Sequence, residues 1–143
     1  MSQLPAVSLV PAHGRWAFPA GATSLAQFQF VEINSSGELI TPASAGIFAV
    51  VLDDAPQLSG ATLGTGGEYS GGYTVGVPYG VVFQGVQKVI TGANLTPGTA
   101  VKTDTSGHAV AASSAGDVIL GWTLFASNSG DLAPILLDRS LHN

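Results

Sequence analysis

The sequence predicts an all-β protein, a small barrel or sandwich made from two copies of one β unit, with an extended arm at its N-terminus. Three observations predict it. About ten short runs of β-branched, aliphatic and aromatic residues alternate with turns rich in Gly, Pro, Asn, Asp and Ser. A sequence motif recurs at an offset of 70 residues. Finally, 19 Gly and 8 Pro punctuate a chain of 143 residues whose 45% hydrophobic content is enough to fold it as one domain.

Residues 1–20 read as the arm. Pro5, Pro11 and Pro19 favour an extended path, and Leu4, Val7, Leu9, Val10, Trp16 and Phe18 accompany them without helical or strand periodicity. So apolar a segment needs a surface to lie on, either its own domain or another chain, which makes these six side chains the candidate docking residues. A first edge strand with a frayed tail is the plainer alternative.

Residues 21–143 read as a single β domain. Phe28, Phe30 and Ile33 sit among polar neighbours, Asn34-Ser-Ser-Gly37 is a tight turn, and Glu38 to Thr41 returns, so the pattern is a hairpin. Ile47 to Leu52 is continuously apolar, hence a strand buried on both faces, and Asp53-Asp54-Ala-Pro56 ends it. A glycine-rich stretch follows from Ser59, too long for a simple turn, with 61–72 as an insertion. Further strands are expected at Tyr73 to Val77, Gly80 to Phe83, Gln87 to Ile90, Ala100 to Thr103, Ala109 to Ala111, Val118 to Phe125 and Leu132 to Leu137. Trp122, inside an apolar run, reads as core.

Ser36, Gly37, Ile40, Ala43, Ser44, Ala45 and Gly46 recur as Ser106, Gly107, Val110, Ser113, Ser114, Ala115 and Gly116, and Val31 and Asn34 match Val101 and Asp104. The copies, about 21–60 and 92–130, should share one strand order about a pseudo-two-fold and pack face to face on a common core.

Charge narrows the function. Only 9% of residues are charged, against about 25% in an ordinary domain. The net charge is −5, and Arg15, Lys88, Lys102 and Arg139 are scattered, so no nucleic-acid partner is expected. The longest uncharged stretch, Tyr69 to Gln87, is broken by five glycines and Pro78, and no basic residue precedes the first apolar ones, so neither a membrane span nor a secretory leader is expected. With no cysteine, disulfides and thiolate chemistry are absent. Low charge with positive mean hydropathy points to apolar surface buried between subunits.

Motifs for chemistry are missing. His13, His108 and His142 stand apart without acidic residues at ligand spacing, so no metal is expected and chelators should leave stability unchanged. Asp53 and Asp54 read as turn caps, and Asp104 to Gly107 as hairpin chemistry rather than a calcium loop. Gly67-Glu-Tyr-Ser70-Gly71 has the wrong spacing for a nucleophile elbow, and the glycine stretch lacks both the dinucleotide and the phosphate-loop fingerprints. No catalytic residue and no cofactor are expected. Gly64 to Gly72 loosely resembles the glycine-rich motif of trimeric dUTP nucleotidohydrolases, but has Glu68 where that family carries a stacking aromatic and Leu63 where it carries Arg.

A second resemblance spans about residues 20–138. Gly21-Ala22, Gln27 to Val31, Asn34 to Ile40 and Ala45 to Val51, then Gly92-Ala93, Pro97 to Gly107, Ala115 to Gly121 and Gly130 to Leu137, resemble the head decoration, or cement, proteins of tailed bacteriophages, with the unit duplicated. The resemblance implies a clip- or tulip-like β fold, often a homotrimer, on the outer surface of the capsid, its arm touching the major capsid protein and no catalytic residues. A carbohydrate-binding or adhesin module is the alternative, with Trp16, Trp122, Tyr69, Tyr73 and Tyr79 as a stacking platform.

Overall fold

The computed structural model describes residues 15–57 and 59–141. Leu4, Val7, Leu9 and Val10 lie outside the described residues. Twelve strands are seen among those described: β1 Arg15–Pro19, β2 Phe30–Ile33, β3 Leu39–Ile40, β4 Val50–Leu52, β5 Thr62–Leu63, β6 Tyr69–Ser70, β7 Pro78–Val82, β8 Gly85–Ile90, β9 Ala100–Thr103, β10 Ala109–Ala111, β11 Val118–Thr123 and β12 Leu132–Leu141.

They form two five-stranded sheets, ordered β3-β2-β4-β7-β1 and β10-β9-β11-β12-β8, and the small hairpin β5-β6. Every strand pairing is antiparallel. With β5-β6 set aside as the insertion, each sheet takes its five strands in the same order from the chain. The repeat is therefore a structural one, and wider than the sequence motif. It includes β1, so Trp16 and Phe18 sit in an edge strand paired to β7, with their rings stacked 6.5 Å apart.

Local chemistry builds both copies alike. The Asn34 Oδ1 accepts hydrogen bonds from the N–H groups of Ser36 and Glu38, both at 2.9 Å, and Asp104 Oδ1 accepts from Ser106 and His108 at 2.8 Å. After the first strand of each sheet, the N–H of Gly21 donates to the Leu39 carbonyl at 2.8 Å and that of Gly92 to Ala109 at 2.9 Å. A Cβ at either glycine would crowd the same neighbours, Glu38 and Ile40 or His108 and Val110, at 3.0–3.1 Å. These contacts draw the edges of each sheet together through one parallel bridge, Ala20 with Leu39 or Thr91 with Ala109. Neither sheet closes into a barrel, because a single bridge is not a strand ladder.

Hydrogen bonds fix the register between copies. Phe28 donates to Leu52 and Leu52 to Gln29, as Gly98 donates to Thr123 and Thr123 to Thr99. Leu52 thus corresponds to Thr123 at an offset of 71, one more than the hairpin offset. The second copy therefore holds one residue more between its Ala-Gly turn and Thr123, and β12 carries an extra residue of its own opposite β11, where Ile119 pairs with Ser140 but Gly121 with Leu137. Val51 then corresponds to Trp122, and its cross-strand partner Val82 to Leu136.

Two cores follow from this arrangement. One gathers Leu25, Val31, Leu39, Val50, Leu52, Tyr73, Tyr79 and Val81 inside the first repeat. The other joins Phe30, Ala49, Val51 and Val82 of the first repeat to Val89, Val101, Leu120 and Ile135 of the second. β4 is buried on both faces, as its apolar run predicts, with Val50 and Leu52 in one core and Val51 in the other. The strand is shorter than expected, beginning at Val50 and not at Ile47. Tyr73 to Val77 is not a strand: Gly76 at φ +89° bends it, and Tyr73 plugs the first core instead.

The expected pseudo-two-fold does not hold. The Phe30 N–H donates to the Gly107 carbonyl at 2.7 Å, Ile90 to Phe28 at 2.9 Å, and Gly46 to Thr103 at 2.9 Å. A Cβ at Gly107 would strike the Phe30 carbonyl and one at Gly46 the Asp117 carboxylate, whereas their counterparts Gly37 and Gly116 face open space. Reciprocal contacts would bury all four glycines. The copies instead pack head to tail, each using a different surface.

Candidate functional site

Alternation along β11 sends Thr123 inward and Trp122 outward, so Trp122 is on the surface and not in the core. It stands opposite Leu136 on β12, which stands opposite Val86 on β8. The three form one cross-strand row and are 38%, 39% and 61% exposed. The counterparts Val51 and Val82 are buried, since the second repeat covers them. Nothing in the chain covers the second sheet in that way among the described residues. On the first repeat, Phe48 is 51% exposed, while its counterpart Val118 packs on the shared core.

Two clefts also recur with the repeat. One of about 510 Å³ is lined by Thr23, Ser24, Gln57, Ser59, Tyr73 and Thr74. The other, of about 300 Å³, is lined by Asn94, Leu95, Thr96, Ser127, Asn128 and Asp131, with Asn94 at the place of Ser24. Their polar groups are hydroxyls and amides, with one carboxylate, and the Asp131 Oδ2 already accepts from the Asn128 N–H at 2.8 Å. The Tyr73 hydroxyl donates to the Asp54 carbonyl at 2.7 Å. Burial, reinforced by Tyr79 and by Asp54 and Asp53, raises the Tyr73 pKa well above that of a free tyrosine and keeps the hydroxyl protonated.

The acidic pair lies just past the end of β4, and its two carboxylates cap different groups. Asp54 Oδ2 accepts from the Gly80 N–H at 2.7 Å, while Asp53 Oδ1 accepts from Gln87 Nε2 at 3.1 Å. The glycine-rich insertion turns back between β5 and β6, with Gly66 donating to Glu68 Oε1 at 3.0 Å, and it is tied to the segment before β2, the Gln27 N–H donating to the Tyr69 carbonyl at 2.7 Å and the Gly71 N–H to that of Leu25 at 2.8 Å. Tyr73 and Tyr79 meet edge to face at 4.7 Å inside the first core, and Trp16 and Trp122 lie on different sheets, so the five aromatics form no common platform. Among the described residues no group of three or more His, Cys, Asp or Glu side chains gathers. His13 and His142 lie outside the described residues.

One polar centre went unread in the sequence. Asp117 pairs with Lys102 at 3.1 Å and accepts from the N–H groups of Ser114 at 2.9 Å and Ser113 at 3.1 Å. The Ser114 hydrogen bond, then the lysine, hold its pKa below the usual carboxylate value against the cost of burial. The signal available was Ala115-Gly116-Asp117, an acid closing a turn whose first copy, Ala45-Gly46-Ile47, has none.

No protein-family model matches the sequence, and no curated protein sequence does. In structure the chain is similar to the N base of the head fiber gp8.5 of bacteriophage phi29, with 16% identity and a TM-score of 0.49 over 90% of this chain and 98% of that one.

Proposed function

We propose that this chain is a structural protein of a tailed-phage head, a decoration protein that sits on the outer surface of the capsid, binds the major capsid protein and stabilises the shell by bridging its subunits. In this reading it acts as a homotrimer, without catalysis or cofactor. The observation that carries the reading is the apolar row of Val86, Leu136 and Trp122 on an open sheet face of a protein with so few charges. A flat apolar face suits a protein partner better than a small molecule, which needs a concave site. The resemblance of residues 20–138 to cement proteins supports the same reading. Electron microscopy of particles with and without the protein tests it: added density on the shell, and shells that survive higher temperature, are expected. Particles unchanged in both respects would refute it.

The two repeat-related clefts favour a second reading, an adhesin or fibre module that binds glycans. Hydroxyl and amide linings of this kind, with Tyr73 in the larger cleft, match the hydrogen-bonding character of sugars. Binding on a glycan array that is lost on Gln57→Ala would establish this function, and an array without signal would remove it.

A further inference from the structure

We propose that the cleft at Leu95 and Ser127 on the second repeat accepts a tyrosine side chain presented by a partner protein, in the place that Tyr73 fills on the first repeat. The proposal goes beyond both readings of function and rests on neither. It follows from one position at which the two repeats carry different side chains on the same backbone.

Backbone hydrogen bonds align the turn before β7 with the turn before β12. The Ala20 N–H donates to the Val77 carbonyl and the Gly76 N–H to that of Ala20, as Thr91 donates to Asp131 and Gly130 to Thr91. Across each turn Val77 donates to Thr74, as Asp131 donates to Asn128. Residues 74–77 therefore match 128–131, and Gly76 and Gly130 share a left-handed backbone at φ +89° and +91°. Immediately before the turn stands Tyr73 in the first repeat and Ser127 in the second. Just after it, Tyr79 stands opposite Phe18 of β1, and Ala133 opposite Val89 of β8. Where one copy has two rings, the other has a hydroxymethyl and a methyl group.

The second repeat compensates for one of these losses and not for the other. The Tyr79 hydroxyl accepts from the Thr74 N–H at 2.9 Å, and in the second copy Asp131 Oδ2 takes that part by accepting from the Asn128 N–H at 2.8 Å. Among the described residues no ring replaces that of Tyr73, which is buried with Leu25 in the first core. Leu95, the counterpart of Leu25, instead lines a cleft of about 300 Å³ together with Ser127. Ser127 Oγ is shielded from solvent and has no hydrogen-bond partner. An unpaired buried hydroxyl is costly, so the cleft favours an occupant that fills space and also carries a hydrogen-bonding group. The first repeat shows which group that is: a phenol ring in the core, its hydroxyl donating at 2.7 Å. The cleft is small for a ligand site and ample for one side chain, and buried tyrosines are common anchors of protein interfaces. Its one charged group is the carboxylate of Asp131, which disfavours an anionic occupant and leaves a neutral phenol acceptable.

Titration of the isotope-labelled full chain with para-cresol, the tyrosine side chain as a free molecule, tests this by NMR. Saturable shifts are expected at the N–H groups of Leu95, Ser127 and Asn128, with a dissociation constant of about 1–10 mM for so small a probe, and none at Thr23 or Thr74 of the first cleft. N-acetyltyrosinamide, which presents the ring from a backbone, should shift the same groups. Ser127→Tyr supplies the ring from within the chain and should weaken para-cresol binding at least about tenfold. Ser127→Ala keeps the cleft and removes only the hydroxyl, so it should weaken binding about two- to tenfold, and it stands in for Ser127→Tyr if circular dichroism shows that variant unfolded. Absence of saturable shifts at the cleft up to about 50 mM para-cresol overturns the proposal. So does binding that neither substitution weakens, para-cresol binding that N-acetyltyrosinamide does not share, or equal saturation by methyl glucoside, which would make the cleft a sugar site.

Discussion

At Gly46 the backbone has φ +75° and an added Cβ would strike the Asp117 carboxylate, whereas Gly116, its counterpart 70 residues on, has φ +89° and open space around it. Alanine at either position bears the left-handed strain, about 1–2 kcal/mol. Only Gly46→Ala adds overpacking, about 1–3 kcal/mol more. Urea unfolding of the two variants should therefore show Gly46→Ala clearly the less stable, and equal midpoints would contradict the head-to-tail packing. Asp117 itself makes stability sensitive to acid. Its folded pKa lies below the ordinary 3.8, so its contribution is complete above that value and fades as pH falls toward the lowered one. Asp117→Asn loses the ion pair with Lys102 and should cost about 1–3 kcal/mol at pH 7. The gap to wild type should narrow below about pH 4; a gap that widens in acid would show that the carboxylate is not what stabilises this turn.

Among the elements, β5 and β6 pair through two residues each and Thr62, Leu63 and Ser70 are exposed, whereas β4 and β7 are held between two cores. Hydrogen exchange should accordingly be faster at the exposed Thr62 and Leu63 of β5 than at Val51 and Val81, and equal protection at the two places would contradict this contrast in burial. This contrast also marks what could be read from the sequence. The hairpin turns were legible, because Asn34 with Gly37 and Asp104 with Gly107 decide them within five residues. The double burial of β4 was legible in its uninterrupted apolar residues. The surface position of Trp122 was not, because an outward residue on a strand is core or surface according to what covers that face, and the partner repeat is remote in sequence. For the same reason the offset of 71 at Thr123 was hidden: hydrogen bonds, and not residue identities, show that the second copy has gained a residue by that point. The six docking residues divide similarly. Trp16 and Phe18 alternate with Ala17 on one face of β1, a periodicity too short to stand out beside Pro19.

At the scale of the molecule, the placement of Trp16 and Phe18 in β1 reduces the proposed docking arm to residues 1–14 and its apolar side chains to Leu4, Val7, Leu9 and Val10. Burying four such side chains contributes about 6–12 kcal/mol, at about 1.5–3 kcal/mol each. Ordering the backbone of residues 2–14 costs about 1–2 kcal/mol per residue, which equals or exceeds that gain. If the arm docks on the capsid as proposed, one arm should therefore bind weakly, and useful occupancy would need several arms presented together. Linked arms raise avidity by about 10²–10⁴ without any new kind of contact. Deleting residues 2–14 should leave both sheets folded, since β1 is retained, while shell binding falls by at least the avidity factor of about 10². Titration of purified shells with the deleted and the full-length chain checks this. If the deleted chain decorates and thermally stabilises shells at the wild-type concentration, the arm does not dock, and attachment belongs to the sheet face of Val86, Leu136 and Trp122 or to the insertion between Gly60 and Gly72.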